Sequence, residues 1–147
     1  MSHVLRMLLA CLLAIGPMAL ASAAAAHTAE QTSFDADGSD LAPGGYVWSP
    51  GRAPSGPVEI VVSLSAQRAY VYRNGVRIGM SEASTGKEGH ETPTGVFTIL
   101  EKEKVHRSSR YNDAPMPYMQ RLTWYGVALH GGPLPGYAAS HGCIRLP

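Results

Sequence analysis

Three regimes of apolar spacing divide the chain. From Met7 to Ala26 nearly every position is apolar or small, in the run "MLLACLLAIGPMALASAAAA". From His27 to Pro57 the apolar residues are scattered among Ala, Gly, Pro, Ser and Asp, and stretches such as "DADGSDLAPGG" offer turns but sustain no period. From Val58 the pattern becomes that of strands: "VEIVVSLS" is followed by "RAYVYRNGVRIGM", in which Asn74-Gly75 predicts a type I′ turn, because both central residues of that turn need positive φ. "GVFTILEK" predicts a further strand and "VALHG" another, whereas nothing after residue 26 carries a helical period. The fold class expected is therefore mainly β. Between those strands, "HRSSRYNDAPMPYMQRL" holds two prolines and no clean period, which predicts a long ordered loop able to form one wall of a cleft.

The first regime reads as an export signal. Arg6 is the only charged residue before Glu30, the apolar run follows it, and the run ends in small residues suited to cleavage after Ala23 or Ala26. An uncleaved membrane anchor is the alternative, since the run approaches the roughly 20 residues that span a bilayer, but Gly16, Pro17 and the Ala-rich end favour removal. Residues 1–26 are assigned as signal peptide, 27–57 as linker or arm, and 58–147 as the domain. Tyr46, Val47 and Trp48 are the residues expected to pin the end of the arm to the domain. Export places the protein in the periplasm or cell envelope, with a membrane tether only if the signal stays uncleaved.

Charge excludes one class of partner. The chain carries 12 Lys and Arg against 11 Asp and Glu, so loss of Arg6 with the signal leaves a neutral protein without the basic footprint of nucleic-acid binding. Cleavage also removes Cys11 and leaves Cys143 without an intrachain partner, in compartments that usually pair thiols. A small buried hydrophobe or an intermolecular disulfide would account for such a residue, and so would a nucleophile.

The neighbours of Cys143 favour the nucleophile. Cysteine attacks as thiolate, so it needs a base or cation nearby and a turn that presents it. The stretch "SHGCIRLP" supplies both: Gly142 permits positive φ or close backbone approach, and His141 and Arg145 lie on either side. His130, in "VALHGG", is the better general base, because a histidine at a strand end can face a cysteine on the next turn. No acidic residue follows Asp113, so a backbone carbonyl such as that of Gly131 is the expected partner of its other ring nitrogen. Cys143, His141 and His130 are also three potential zinc ligands, but neither CxxC pairs nor HExxH spacing is present, and no metal is expected.

These residues resemble the active-site signature of the L,D-transpeptidases, the YkuD-type cysteine enzymes of bacterial cell-wall synthesis. "HGGPLPGYAASHGCIRLP" carries the likeness, "STGKEGHETPTGVFTI" looks like the family's middle motif, and "HRSSRYNDAPMPYMQRLTW" is similar to a subgroup of exported proteobacterial members. The resemblance implies a β-sandwich-like catalytic domain acting on peptidoglycan stem peptides without metal, ATP or other cofactor. Cys143 would attack the L-centre carbonyl of a diaminopimelate residue, release D-alanine and hold the stem as a thioester. An amine of another stem would then give a 3-3 cross-link, and water an L,D-carboxypeptidase reaction. His130 matches the proton donor and acceptor. Ser140, His141, Gly142 and Arg145 match the turn that shapes the thiol and contacts substrate.

The interval from His130 to Ser140 is shorter than in many members, which concerns the loop carrying Tyr137. Members also continue past "CIRLP" with a helix and further structure, so the domain is expected to be truncated at its C-terminal end. A noncatalytic peptidoglycan-binding or inactive truncated β-domain is the rival reading. Tyr118, Met119 and Tyr137 are candidate cleft residues, although soft apolar packing is an equal role for Met119. Tyr70, Val71, Tyr72, Val76 and Ile78 are expected to pack in the core and across strands.

Overall fold

A computed structural model describes residues 41–147. The signal peptide assigned to residues 1–26, the membrane tether that depends on it, and residues 27–40 of the linker lie outside the described residues.

Among the described residues eight strands form two four-stranded sheets: β1 (Tyr46–Trp48), β2 (Val58–Ser63), β3 (Arg68–Arg73), β4 (Val76–Glu82), β5 (Glu101–Glu103), β6 (Met119–Arg121), β7 (Ala128–Gly131) and β8 (Ile144–Leu146). The first sheet runs β1-β4-β3-β2 and the second β5-β6-β7-β8. The one helical element among the described residues is a short 3-10 turn, Pro50–Arg52.

The first sheet is wholly antiparallel. β3 and β4 form the predicted hairpin, with Arg73 opposite Val76 and with Asn74 and Gly75 at φ 50° and 75°, as a type I′ turn requires. β2 pairs with β3 over its full length. The sheet begins before Val58, because Tyr46–Trp48 pairs with Gly79–Ser81 of β4. The arm is thus held by a ladder of main-chain bonds rather than by aromatic burial: Tyr46 and Trp48 are both exposed.

The second sheet departs from expectation in one segment. Of "GVFTILEK" only Glu101 and Lys102 are strand, the start of β5, and residues 95–100 have no regular pairing. A segment without a partner strand has no ladder for its N–H and C=O groups. Among the described residues only Leu100 N–H continues the pairing, to Arg121 O at 2.8 Å, while Val96 lies fully in solvent. The expected loop does form the stretch before β6, but its last part, Met119–Arg121, is strand.

β7 and β8 pair in parallel, with Leu129 opposite Ile144, His130 opposite Arg145 and Gly131 opposite Leu146. Two small hydrophobic clusters form the core, and one of them joins the layers. Ala69 of β3 and Ala83, just past the end of β4, meet Leu129 and Ile144 from the second sheet, flanked by Ile60, Val62, Leu122 and Leu146. Met116, Met119 and Ala128 form the other cluster, and Cys143 packs against it. The chain leaving β4 stitches the sheets directly: Ser84 N–H donates to Arg145 O at 3.0 Å and Arg145 N–H to Ser84 O at 2.9 Å.

Candidate active site

The parallel pairing of β7 and β8 decides where the chemistry falls. His130 sits inside β7, Cys143 immediately precedes β8, and both face a cavity of about 650 Å³ together with Arg145, Ser140 and His141. The loop ahead of β6 supplies the opposite wall through His106, Arg110, Tyr111 and Met116, which is the cleft wall expected of it.

His130 is nine-tenths buried, and its Nδ1 lies 2.9 Å from Gly131 O. A carbonyl only accepts, so Nδ1 carries the proton and Nε2 of the neutral ring is left as a base. Burial is the largest influence on this ring and lowers its pKa; the Gly131 carbonyl opposes that, and the charges of Arg145 and His106 add to it. Gly132 leaves room for this arrangement, since a Cβ there would stand 3.3 Å from Arg145 Cδ and 3.6 Å from His130 Cε1.

Cys143 differs from the activated thiolate that its neighbours suggested. Burial against the methionine cluster pushes its pKa up, outweighing the Ala128 N–H and the charges of Arg145 and Arg121. Its Sγ lies 3.5 Å from Gly126 O, which again favours the protonated thiol as donor. Both shifts favour the neutral forms of the thiol and the imidazole that share this cavity, so a base there has to take the thiol proton as attack proceeds.

The turn that presents Cys143 is held from beneath by the "STGKEGHET" segment. Ser140 is buried and donates through Oγ to Cys143 O at 2.5 Å, while Gly142 N–H donates to the same Oγ at 3.1 Å. Main-chain bonds join Ser140 N–H to Thr85 O at 2.9 Å and Lys87 N–H to Ser140 O at 3.1 Å. Thr92 Oγ1 accepts from Gly86 N–H at 2.8 Å and donates to Gly142 O at 2.9 Å. Gly86 must be glycine for the segment to fold so tightly, because a Cβ there would stand 2.0 Å from His90 O. Gly142 has φ 112°, the positive value anticipated for the turn.

The remaining candidates separate. His141 is exposed, with its ring centroid 4.5 Å from that of Tyr111 and 4.7 Å from that of His90. Desolvation lowers its pKa first, and the charges of Lys87, His90 and Arg145 act in the same sense. Ser140 is a structural tie of the turn. Met119 is buried and lines the cavity. Tyr118 and Tyr137 do not line it: both are exposed, Tyr118 at a positive φ of 54° that turns the backbone just ahead of β6, and Tyr137 on a loop fastened through its carbonyl, to Ser84 Oγ at 2.7 Å. Among the described residues no group of three or more His, Cys, Asp or Glu is placed to hold a metal.

Two features escaped the sequence, Tyr111 against His141 and Thr92 under the turn, while Met119, a cleft or packing candidate, proves to be both. Only Thr92 left a signal, as a Thr-Pro step at the end of a glycine-rich stretch, and such a step reads equally well as a plain turn.

The model of the YkuD L,D-transpeptidase catalytic domain matches residues 57–147. A search of curated proteins returns no match. Among solved structures, the chain is similar to an L,D-transpeptidase from Mycobacterium smegmatis at 31% identity and TM-score 0.56, covering 60% of this chain and 48% of that one. An L,D-transpeptidase from Stackebrandtia nassauensis gives 31% identity and TM-score 0.56, over 65% of this chain and 47% of that one. L,D-transpeptidase 3 from Mycobacterium tuberculosis, solved in complex with a faropenem-derived adduct, gives 28% identity and TM-score 0.55, over 60% and 51%. The chain spans about half the length of each of these structures.

Proposed function

The chain belongs to the YkuD L,D-transpeptidase catalytic domain family, and on that premise we propose that it transfers acyl groups from peptidoglycan tetrapeptide stems through a thioester on Cys143. The observation that carries this reading is the parallel pairing of β7 with β8, which sets buried His130 and the turn bearing Cys143 against one cavity, with the His130 Nδ1 proton committed to Gly131 O.

The chemistry runs from those positions. His130 Nε2 takes the thiol proton as Sγ bonds to the stem carbonyl carbon, and the carbonyl π pair moves to oxygen. Collapse of the oxyanion breaks the C–N bond, and the imidazolium returns the proton to the departing D-alanine amine. An amine of a second stem then attacks the thioester, with His130 again receiving and returning the proton, to give a 3-3 cross-link. Water in place of the amine gives the L,D-carboxypeptidase product. General acid–base assistance of this kind contributes about 10² to 10⁴ in rate. Arg145 places positive charge at the cavity wall, which suits a stem peptide bearing carboxylates, whereas Arg121 at that wall is already paired with Glu101 at 2.5 Å. The same reading puts its substrate outside the cytoplasm, in the periplasm or cell envelope, and the apolar N-terminal run supports that proposal.

The test is incubation of the full chain with disaccharide-tetrapeptide, followed by mass spectrometry. Dimers or tripeptide support the reading. Unchanged substrate, with peptidoglycan bound equally by the wild-type protein and by Cys143→Ser, replaces it with the noncatalytic one.

A further inference from the structure

The geometry points to Thr92 as a positioning residue that aims the Cys143 N–H at the oxyanion formed on the acyl carbonyl. We propose this role on the acyl-transfer reading above. Two main-chain donors flank the nucleophile, those of Gly142 and Cys143, and they are not equivalent. The Gly142 N–H is already committed to Ser140 Oγ at 3.1 Å. The Cys143 N–H meets no acceptor among the described residues. A trans peptide sets its N–H opposite its C=O, so whatever fixes Gly142 O also fixes the direction of the Cys143 N–H. Thr92 Oγ1 is what fixes it, donating to Gly142 O at 2.9 Å from a side chain only 7% exposed.

The direction of that bond is settled by its partners. Gly86 N–H can only donate and Gly142 O can only accept, so the single hydroxyl proton of Thr92 goes to Gly142 O. Ser140 secures the next peptide by donating to Cys143 O. Two hydroxyls thereby hold the main chain on both sides of the nucleophile, and the one N–H they leave free belongs to the residue carrying the thiol. A donor held in place before reaction stabilises a developing oxyanion without reorganising. Thr92 touches neither substrate nor sulfur; it acts through the peptide group.

Two reactions of Cys143 separate this role from plain structural support. Acylation by faropenem passes through an oxyanion, whereas alkylation by iodoacetamide displaces iodide and forms none. Both are followed on the full chain by intact mass, for the wild-type protein, Thr92→Val, Thr92→Ala and Thr92→Ser. Loss of the hydroxyl in Val or Ala is expected to slow acylation by about 10- to 100-fold, within the cost of losing one such donor. Alkylation should change less than about two-fold, and Thr92→Ser should recover most of the acylation. Acylation at the wild-type rate in Val and Ala overturns the inference, as does a parallel fall in both reactions or loss of the folded state in both variants. A wild-type protein that alkylates but never acylates overturns the acyl-transfer reading itself, and this role with it.

Discussion

The two sheets are built by different rules. Every pair in the first sheet is antiparallel, and its longest pairs, β2 with β3 and β3 with β4, join consecutive strands through short turns. The second sheet ends in a parallel pair whose strands are separated by the whole segment from Gly132 to Cys143. Parallel strands cannot be joined by a tight turn, so the connection has to travel, and here it carries Ser140, His141 and Gly142 to the thiol. The first sheet is a scaffold that local pairing can assemble. The second holds the candidate site, at the point where the chain must return from a distance. Mutations in the two sheets should accordingly fail in different ways.

The largest effect is expected in the second sheet and should leave the fold alone. Cys143→Ser is expected to abolish the faropenem adduct, because a hydroxyl ionises far less readily than a thiol and the site offers no carboxylate-backed base. Its thermal transition should stay close to wild type. His130→Ala is expected to lower acylation by about 10² to 10⁴, with iodoacetamide labelling confirming that the thiol remains. An adduct on the serine variant, found by intact mass, would remove Cys143 from its role.

Substitution in the first sheet should do the reverse. Ile78 is fully buried in β4, and Ile78→Ala is expected to cost about 2–5 kcal/mol through lost contacts and the cavity left behind. Denaturant titration measures the loss, and the fraction that remains folded should acylate at the wild-type rate. A slower reaction from fully folded protein would show that the scaffold sheet tunes the site. Between these extremes stands Gly86, where one segment serves both sheets. Gly86→Ala drives a Cβ against the His90 carbonyl and is expected to cost about 1–3 kcal/mol, with acylation falling because the Thr92 and Ser140 ties to the turn are displaced. Stability lost with acylation intact would mean that the turn holds itself.

The same division explains what could be read in advance. The Asn74-Gly75 hairpin was legible because turn chemistry and alternation are local signals. His130 and Cys143 were legible as chemical types, and the Gly131 carbonyl followed from the lack of any carboxylate after Asp113. The strand predicted over "GVFTILEK" forms only at Glu101 and Lys102, because alternation reports readiness to pair and says nothing of a neighbour. β1 was read as an arm because three residues are too few to show a period. Tyr118 and Tyr137 were drawn toward the cleft by proximity in sequence, whereas side-chain direction is set by backbone geometry that proximity does not encode. The raised thiol pKa was hidden for a related reason: flanking Arg and His suggest activation, and only the packing of Met116 and Met119 reveals that burial outweighs them.

The smallest expected effect is on pH, and it bears on whether the pair in the second sheet rests neutral. His130 titrates below its ordinary 6.5 and Cys143 above its ordinary 9.0, burial being the main cause for each. A neutral imidazole accepting a proton from a neutral thiol works whenever His130 is unprotonated. The acylation rate should therefore climb through an acid limb centred below 6.5 and hold level until the thiol ionises above 9.0. Stability follows the same signs. Because the folded pKa of His130 is depressed, its contribution is complete above 6.5 and is lost as pH falls through that value toward the folded pKa, where the unfolded chain binds the proton first. Because that of Cys143 is raised, its contribution is complete below 9.0 and is lost as pH rises past it. A rate profile of the full chain with faropenem, from about pH 4.5 to 10, reads the first pair of limbs, and denaturant midpoints over the same range read the second. An acid limb at or above 6.5 would mean that burial does not depress His130, and a rate already falling well below 9.0 would mean that the pair rests as thiolate and imidazolium and that the methionine cluster does not govern the thiol.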